Sequence, residues 1–458
     1  MDAPTPPCRQ GIVPPYLLQH IAHSADEALA APARVSLFID GEHRARRAGG
    51  RTQAPTTPDD GTGPLRTISD THASTALPGD VVRTEGAAPT GDPAVDEAYD
   101  GLGATWSLFH DVYGRDSLDD AGLPLDATVH YGREYDNAFW DGARMVFGDG
   151  DSQVFGRFTV AVDVIGHELT HGVTEKTAAL VYQGQSGALN ESLSDVFGVL
   201  VKQRLLGQDA AAADWLIGAG LFLPSVHGVA LRSMKAPGTA YDDPVLGRDP
   251  QPATMAGYLQ TTDDNGGVHT NSGIPNHAFY LAATGIGGDA WDGAGWVWYD
   301  VVTGGRLARD ADFAAFAALT VQAAAARFGA GSAHEGAVRG AWAQVGVTGP
   351  AAESTPTPPT TNGTASRASV VGVARSGGLA GRRIEREIDL DSISGDRADE
   401  WRSLLGSGLL QRLPPAEPAP DRFIYRVWCP GADLDVTTGE QQLPEHVRAT
   451  FEATLRWG

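Results

Sequence analysis

The chain has 458 residues, with 34 basic and 57 acidic side chains, a net charge of −23 and 42% hydrophobic residues. That length and apolar content allow two or more domains with ordinary cores, and the acidic balance argues against nucleic acid as a partner. Two cysteines, Cys8 and Cys429, fall in segments that read as different domains, so no disulfide framework is implied. No apolar run is long enough to cross a membrane.

In chain order, the start MDAPTPPCRQGIVPPYLLQHIA carries no charged-then-apolar export signal. Residues 11–29 read as a short amphipathic segment opened by proline. The basic stretch 44–51 and the Thr/Pro/Asp/Gly run to Gly63 follow as an exposed, protease-sensitive linker. Residues 81–156 are rich in glycine, aromatic and β-branched residues, with Tyr131, Phe139, Trp140, Met145, Val146 and Phe147 alternating with polar ones, which predicts strands. From Val160 the pattern turns helical, with Ala-rich runs such as 313–327. A β-rich half joined to an α-rich half places a cleft between them.

A second linker, residues 349–365, is dominated by proline and threonine. Beyond it come a strand from Ser369 into the Arg375-Ser-Gly-Gly-Leu-Ala-Gly turn, a helix-like 398–405 and a strand 423–429. The Gly-rich turn lacks the Lys-Ser/Thr ending of a phosphate loop. The expected division is 1–50 as an N-terminal segment, 51–64 as an exposed linker, 65–175 and 176–348 as two lobes, 349–365 as a linker and 366–458 as a small α/β domain. Residues 366–458 hold 12 basic against 14 acidic side chains, so the acidity belongs to the preceding part.

The chemistry concentrates in His167-Glu168-Leu169-Thr170-His171, followed by Asn190-Glu191 and Asp195. Residues four apart on a helix share a face, so His167 and His171 can hold one metal ion. Glu168 is turned off that face and can polarise a water in the open coordination position. Glu191 supplies the third ligand from a second helix, completing a His2Glu zinc set. Asp195, one turn beyond it, and Asn190 can accept the remaining imidazole N–H bonds. The apolar residues Leu189, Leu193, Val196, Phe197, Val199 and Leu200 argue that this helix is buried, and a buried aspartate needs such a partner.

Residues 65–347 resemble the thermolysin family of zinc metallopeptidases. The likeness rests on Asn137-Ala138-Phe139-Trp140-Asp141-Gly142, Met145-Val146-Phe147-Gly148-Asp149-Gly150, the His-Glu-Leu-Thr-His helix and Gly187-Ala188-Leu189-Asn190-Glu191-Ser192-Leu193-Ser194-Asp195. It continues in Leu231-Arg232-Ser233-Met234 and in the run from Asp264-Asn265-Gly266-Gly267-Val268-His269 to Gly273, in that order. The resemblance implies an α+β, two-lobe endopeptidase that preferentially cuts before bulky apolar residues. It implies His269 and Tyr182 as oxyanion donors, with Asp264 orienting His269. Tyr182 also reads as a core aromatic with its hydroxyl at the surface. Asn137 and Ala138 would hold the substrate backbone. Arg232 would bond a substrate carbonyl or serve in a structural ion pair.

Calcium is where the sequence departs from the resemblance. Asp163 and Asp214 stand at positions like family calcium ligands, but Lys202, Leu216 and Ala219 replace further expected ligands, so a two-calcium site is expected to be absent or reduced. Residues 8–18 resemble the short pro-segment of the protealysin subgroup, which implies a zymogen cut between residues 44 and 64. Cys8 reads as a thiolate zinc ligand of the latent form or as an unremarkable thiol. The C-terminal segment resembles emfourin, a protein inhibitor of protealysin-type enzymes. It would restrain the active site in cis or serve as a binding module. Expected partners are peptide substrates and these two intramolecular inhibitors, with no nucleic acid or membrane and a monomeric chain. The family implies secretion, with a non-classical route or retention in the cytoplasm as the alternatives if no signal precedes the chain.

Overall fold

A computed structural model describes residues 11–47 and 63–347 and, in the last ninety residues, 370–377, 384–390, 423–429, 434–455 and a few positions between 401 and 414. The chain divides into two compact units, Met1–Glu353 and Ser354–Gly458. Cys8, residues 48–62 of the first expected linker, the whole second linker and the Gly378-Leu-Ala-Gly part of the C-terminal turn lie outside the described residues.

The first unit opens with α1 (Pro15–Ala22), where Pro15 takes a first-turn position that needs no N–H donor. Leu17, Leu18 and Ile21 face inward and are buried. Next comes α2 (Glu27–Arg47), which extends far beyond the short segment expected to end at Leu29 and includes part of the basic run assigned to the linker. Its apolar periodicity is weak and Pro32 sits inside it. It is held from outside: Ser36 accepts the Asp136 N–H at 2.9 Å, and Ile39 packs on the Tyr131, Tyr135 and Phe139 cluster. Tertiary contact overrides a poor local pattern.

Five strands form one sheet, β1 (Arg66–Asp70), β2 (Asp80–Thr84), β3 (Leu125–Val129), β4 (Ala138–Trp140) and β5 (Arg144–Phe147), in the order β2-β1-β3-β5-β4. β4 therefore lies at an edge, with its far side available to an extended peptide. Between β2 and β3 the chain forms α3 (Pro93–Ser107), which corrects the all-strand reading of this region. The signal was present: Asp92 caps the Ala94 N–H at 2.9 Å, Pro93 follows, and Val95, Ala98, Tyr99 and Leu102 bury one face.

Two helices form the centre of the unit, α4 (Val162–Lys176) and α5 (Gly184–Leu206). α5 is buried almost all round from Ser186 to Gln203 and ends at Gly207 in the left-handed conformation (φ 63°). The two cross at Gly166 and Gly198. A Cβ on Gly198 would lie 2.4 Å from the Asp163 carbonyl oxygen and 3.0 Å from the His167 nitrogen. Two short hairpins follow, β6 (Leu216–Ile217) with β7 (Arg232–Ser233), and β8 (Asp242–Asp243) with β9 (Gly247–Arg248). The helices α6 (Asp264–Asn271), α7 (Gly273–Ile286), α8 (Ala294–Thr303), α9 (Phe313–Phe328) and α10 (Ala333–Gln344) complete the α-rich lobe.

The second unit is a four-stranded antiparallel sheet, β10 (Val370–Gly377), β11 (Ile384–Asp389), β12 (Phe423–Cys429) and β13 (Leu434–Gly439), in the order β11-β10-β12-β13. A closing helix, Glu445–Leu455, buries Val447, Phe451 and Leu455 in one core with Val371, Val373, Tyr425 and Val427.

The glycine crossing sets the distance between the two central helices. Gly198→Ala is expected to cost about 1–3 kcal/mol through overpacking, seen as a lower thermal midpoint together with reduced zinc content. Gly336→Ala on α10, where a Cβ meets nothing within 4 Å, is expected to be neutral or slightly stabilising. Equal behaviour of the two variants would contradict this account.

Candidate active site

α4 turns His167 and His171 toward α5, and their Nε2 atoms stand 3.1 Å apart. Glu191 faces both, with Oε2 3.6 Å from the first ring and Oε1 3.5 Å from the second. A tetrahedral zinc with ligands at about 2.0–2.1 Å needs ligand-to-ligand edges of about 3.3 Å. The three groups therefore fit such an ion. All three residues are buried, and they are the one cluster of three or more potential metal ligands among the described residues.

The outer ring nitrogens settle which tautomer each histidine adopts. His167 Nδ1 donates to Asp195 Oδ1 at 2.7 Å, and His171 Nδ1 donates to Asn190 Oδ1 at 2.8 Å. Each Nε2 is thus left as a lone-pair donor directed at the same point, the arrangement a cation requires. Burial depresses both rings to a pKa of about 4, in spite of Asp195 beside the first and Asn190 beside the second, so both imidazoles are neutral.

Glu168 is buried one position away. Its Oε2 accepts the Trp140 N–H at 3.0 Å, while Oε1 has no hydrogen-bond partner among the described residues. Burial, reinforced by the charge of Glu191, pushes its carboxyl well above the usual carboxylate range. On the far side, the Tyr182 hydroxyl donates to Glu191 and lies 3.4 Å from His269 Nε2. His269 Nδ1 donates to Asp264 Oδ1 at 2.8 Å, and its backbone N–H to Asp264 Oδ2 at 2.9 Å. Burial lowers the His269 ring, but Asp264 and Glu191 outweigh it and the pKa is raised. Gly266 and Gly267 adopt φ of 84° and 74°, and the Gly266 Cα comes so near Gly184 that an added Cβ would stand 3.0 Å from its nitrogen.

Asp195 is fully buried and accepts from three partners. Besides His167, Arg232 donates to it twice, from Nε at 2.8 Å and Nη2 at 2.7 Å, and Asn276 donates at 2.8 Å. Burial alone would raise its pKa, but Arg232 and His167 drive it far below the usual carboxylate range. The remaining Arg232 nitrogen, Nη1, donates to the Ile12 carbonyl at 3.0 Å. Arg232 therefore joins an ion pair and contacts a peptide carbonyl at once, so the two readings of it are compatible.

That carbonyl belongs to the segment before α1, which runs along β4. The Ile12 N–H donates to the Ala138 carbonyl at 3.0 Å, and the Val13 N–H to Asn137 Oδ1 at 3.0 Å. Asn137 Nδ2 also reaches Asp40 of α2 at 3.0 Å. Sequence reasoning missed Asp40, Asn276 and the second partner of His171, Ser194 at 3.1 Å. No local motif marks Asp40 or Asn276, because each matters only through a contact distant in the chain.

A metal-ligand cluster of this kind, with a buried glutamate beside it and a tyrosine and histidine opposite, defines a metal-dependent peptidase. The comparisons then place the chain: residues 60–175 match the thermolysin metallopeptidase catalytic domain, residues 178–347 its alpha-helical domain and residues 373–455 Emfourin. An extracellular metalloprotease of Pectobacterium carotovorum subsp. carotovorum is 57% identical over 282 residues, 62% of this chain and 81% of that protein. Protease PrtS of Photorhabdus sp. (strain Az29) is 47% identical over 346 residues, 74% of this chain and 92% of the relative. Among solved structures, the precursor of protealysin, a metalloproteinase from Serratia proteamaculans, matches with a TM-score of 0.68 at 53% identity, covering 74% of this chain and all of that one. The chain belongs to the thermolysin family of zinc metallopeptidases and is a metalloendopeptidase with an Emfourin domain at its C-terminal end. No helix among the described residues is long and apolar enough to cross a membrane.

The expected calcium position has a different occupant. The Lys202 ammonium lies 2.9 Å from both Asp163 Oδ2 and Asp214 Oδ1, and donates to the Leu216 carbonyl at 2.5 Å. One cation built into α5 thus neutralises two carboxylates that a metal would otherwise bridge. Asp163 is buried, so Lys202→Met leaves an uncompensated charge and is expected to lower stability by about 3–5 kcal/mol. Denaturant titration checks this, and millimolar calcium is expected to leave the wild-type midpoint unchanged. A calcium-dependent wild-type midpoint would contradict the assignment.

Proposed function

We propose that the chain hydrolyses internal peptide bonds through Glu168, with His167, His171 and Glu191 holding zinc and Asn190 and Asp195 fixing the two histidines. The observation that carries this reading is the convergence of two neutral imidazole lone pairs and one carboxylate beside the unpaired Glu168 Oε1. Zinc, when bound, supplies Lewis-acid polarisation of water and of the substrate carbonyl. Glu168 takes the proton of the attacking water and returns it to the leaving nitrogen. Tyr182 and His269, the latter oriented by Asp264, donate to the oxygen on which charge develops. Asn137, Ala138 and Arg232 hold the peptide on the amine side of the cut, and bulky apolar residues are favoured there.

The precursor is latent because its own segment 11–47 lies on the three peptide-holding residues, a reading supported by the likeness to the protealysin precursor. Cleavage in the stretch after residue 47 releases it, and the mature enzyme acts outside the cell. The C-terminal unit restrains the mature enzyme in cis. Support comes from the Emfourin match at residues 373–455 and from the tether, which makes the encounter intramolecular and raises its effective concentration.

Glu168→Gln is expected to lower kcat/KM on a fluorogenic peptide by about 10²–10⁴-fold while zinc stays bound. Substantial activity in a zinc-loaded variant would contradict the role of Glu168. For the C-terminal unit, the processed full chain is compared with a processed chain ending at Gly349. Faster turnover by the shorter chain is expected, and equal rates would exclude restraint.

A further inference from the structure

The long helix α2 brings a carboxylate, Asp40, toward Glu134, Asp136 and Asp151 of the peptidase body. Asp40 is fixed on arrival: its Oδ1 accepts the Tyr135 hydroxyl at 2.6 Å and its Oδ2 the Asn137 amide at 3.0 Å. Glu134 and Asp136 lie in the turn before β4, and Asp151 follows β5. Asp136 is 1% exposed, and Ser36 of α2 accepts its backbone N–H at 2.9 Å.

Hydrogen-bond donors decide which of these buried carboxylates stays ionised. Asp151 Oδ1 accepts the backbone N–H groups of Gln153, Val154 and Phe155 at 3.0, 2.8 and 2.9 Å. Asp40 has a donor on each oxygen. Asp136 Oδ1, in contrast, has no hydrogen-bond partner among the described residues. Burial, then the charges of Asp151, Glu134 and Asp40, push the Asp136 carboxyl well above the usual carboxylate range, against one hydrogen bond from the Asp151 N–H. Tyr135, which touches Asp40, is kept neutral by burial and by that charge. Asp136 is thus the member of the group that takes a proton.

We propose that Asp136 makes the seating of α2 a proton-coupled latch, in which the latent chain holds a proton on Asp136 and gives it up to water when α2 leaves. The inference rests on the latency reading above and adds the condition under which the segment lets go. With α2 in place Asp136 is neutral. With α2 gone it meets water, loses Asp40 as a neighbour and ionises near the ordinary aspartate value of about 3.9. Between that value and the raised one the seated state binds one proton more. Each unit of rising pH in that window therefore weakens the seating about tenfold. Seating is tightest in acid, and the advantage is lost as the pH rises through the raised value.

The test uses zinc-loaded full-length chain carrying Glu168→Gln, so that the segment is not digested and Glu168 does not titrate. The chain is cut after residue 47 by an added protease. The dissociation constant of the 1–47 piece is then measured by ultrafiltration and mass spectrometry from pH 5 to pH 7. It is expected to rise at least tenfold over that range, and less than threefold once Asp136→Asn is added. Equal pH dependence with and without Asp136→Asn overturns the latch. A piece retained at no pH overturns the latency reading, and the latch with it.

A second measurement needs no substitution at Asp136. The cut pieces are recombined at pH 6 in two buffers of different ionisation enthalpy, and calorimetry counts the protons taken up. About one proton per segment is expected, and no uptake overturns the proposal.

Discussion

One carboxylate, Asp195, ties the candidate metal position, the Arg232 guanidinium and the N-terminal segment together. It is fully buried and accepts hydrogen bonds from His167, from Arg232 twice and from Asn276. A charge in that position is costly unless paired, and removing one partner of such a pair typically costs about 3–5 kcal/mol. The residues it joins lie on α4, β7 and α7, with Asp195 itself on α5. Its bond to His167 leaves Nε2 of that ring free for a metal. Its bonds to Arg232 hold the guanidinium so that Nη1 meets the Ile12 carbonyl. Any movement of α5 relative to α4 would therefore disturb the spacing of His167, His171 and Glu191 and the Arg232–Ile12 contact together.

The glycine crossing serves the same constraint. Gly166 and Gly198 let α4 and α5 approach until the histidine rings and Glu191 stand 3.1–3.6 Å apart. Lys202, further along α5, ties the start of α4 to the loop carrying Asp214 by neutralising both carboxylates. A lysine does so without an ion drawn from solution.

The site was largely legible in the sequence because its chemistry needs particular residue types at helical spacing. His167, Glu168 and His171 share one turn of α4, and Asn190, Glu191 and Asp195 lie close together on α5. The fold was less legible where long-range contact decides it. α2 lacks a strong apolar face and contains Pro32, and it is held by Ser36, Ile39 and Asp40 meeting residues about a hundred positions away. The strand reading of residues 81–156 gave weight to aromatic and β-branched content over the Asp92-Pro93 helix start, and so passed over α3.

The reading as a whole depends on a metal held by His167, His171 and Glu191 acting in peptide hydrolysis. The most direct measurement is a zinc titration of processed, metal-depleted chain, followed by the rate of peptide cleavage. The account predicts that activity rises in proportion to added zinc and levels off at one ion per chain. Full cleavage by the metal-depleted chain would contradict it.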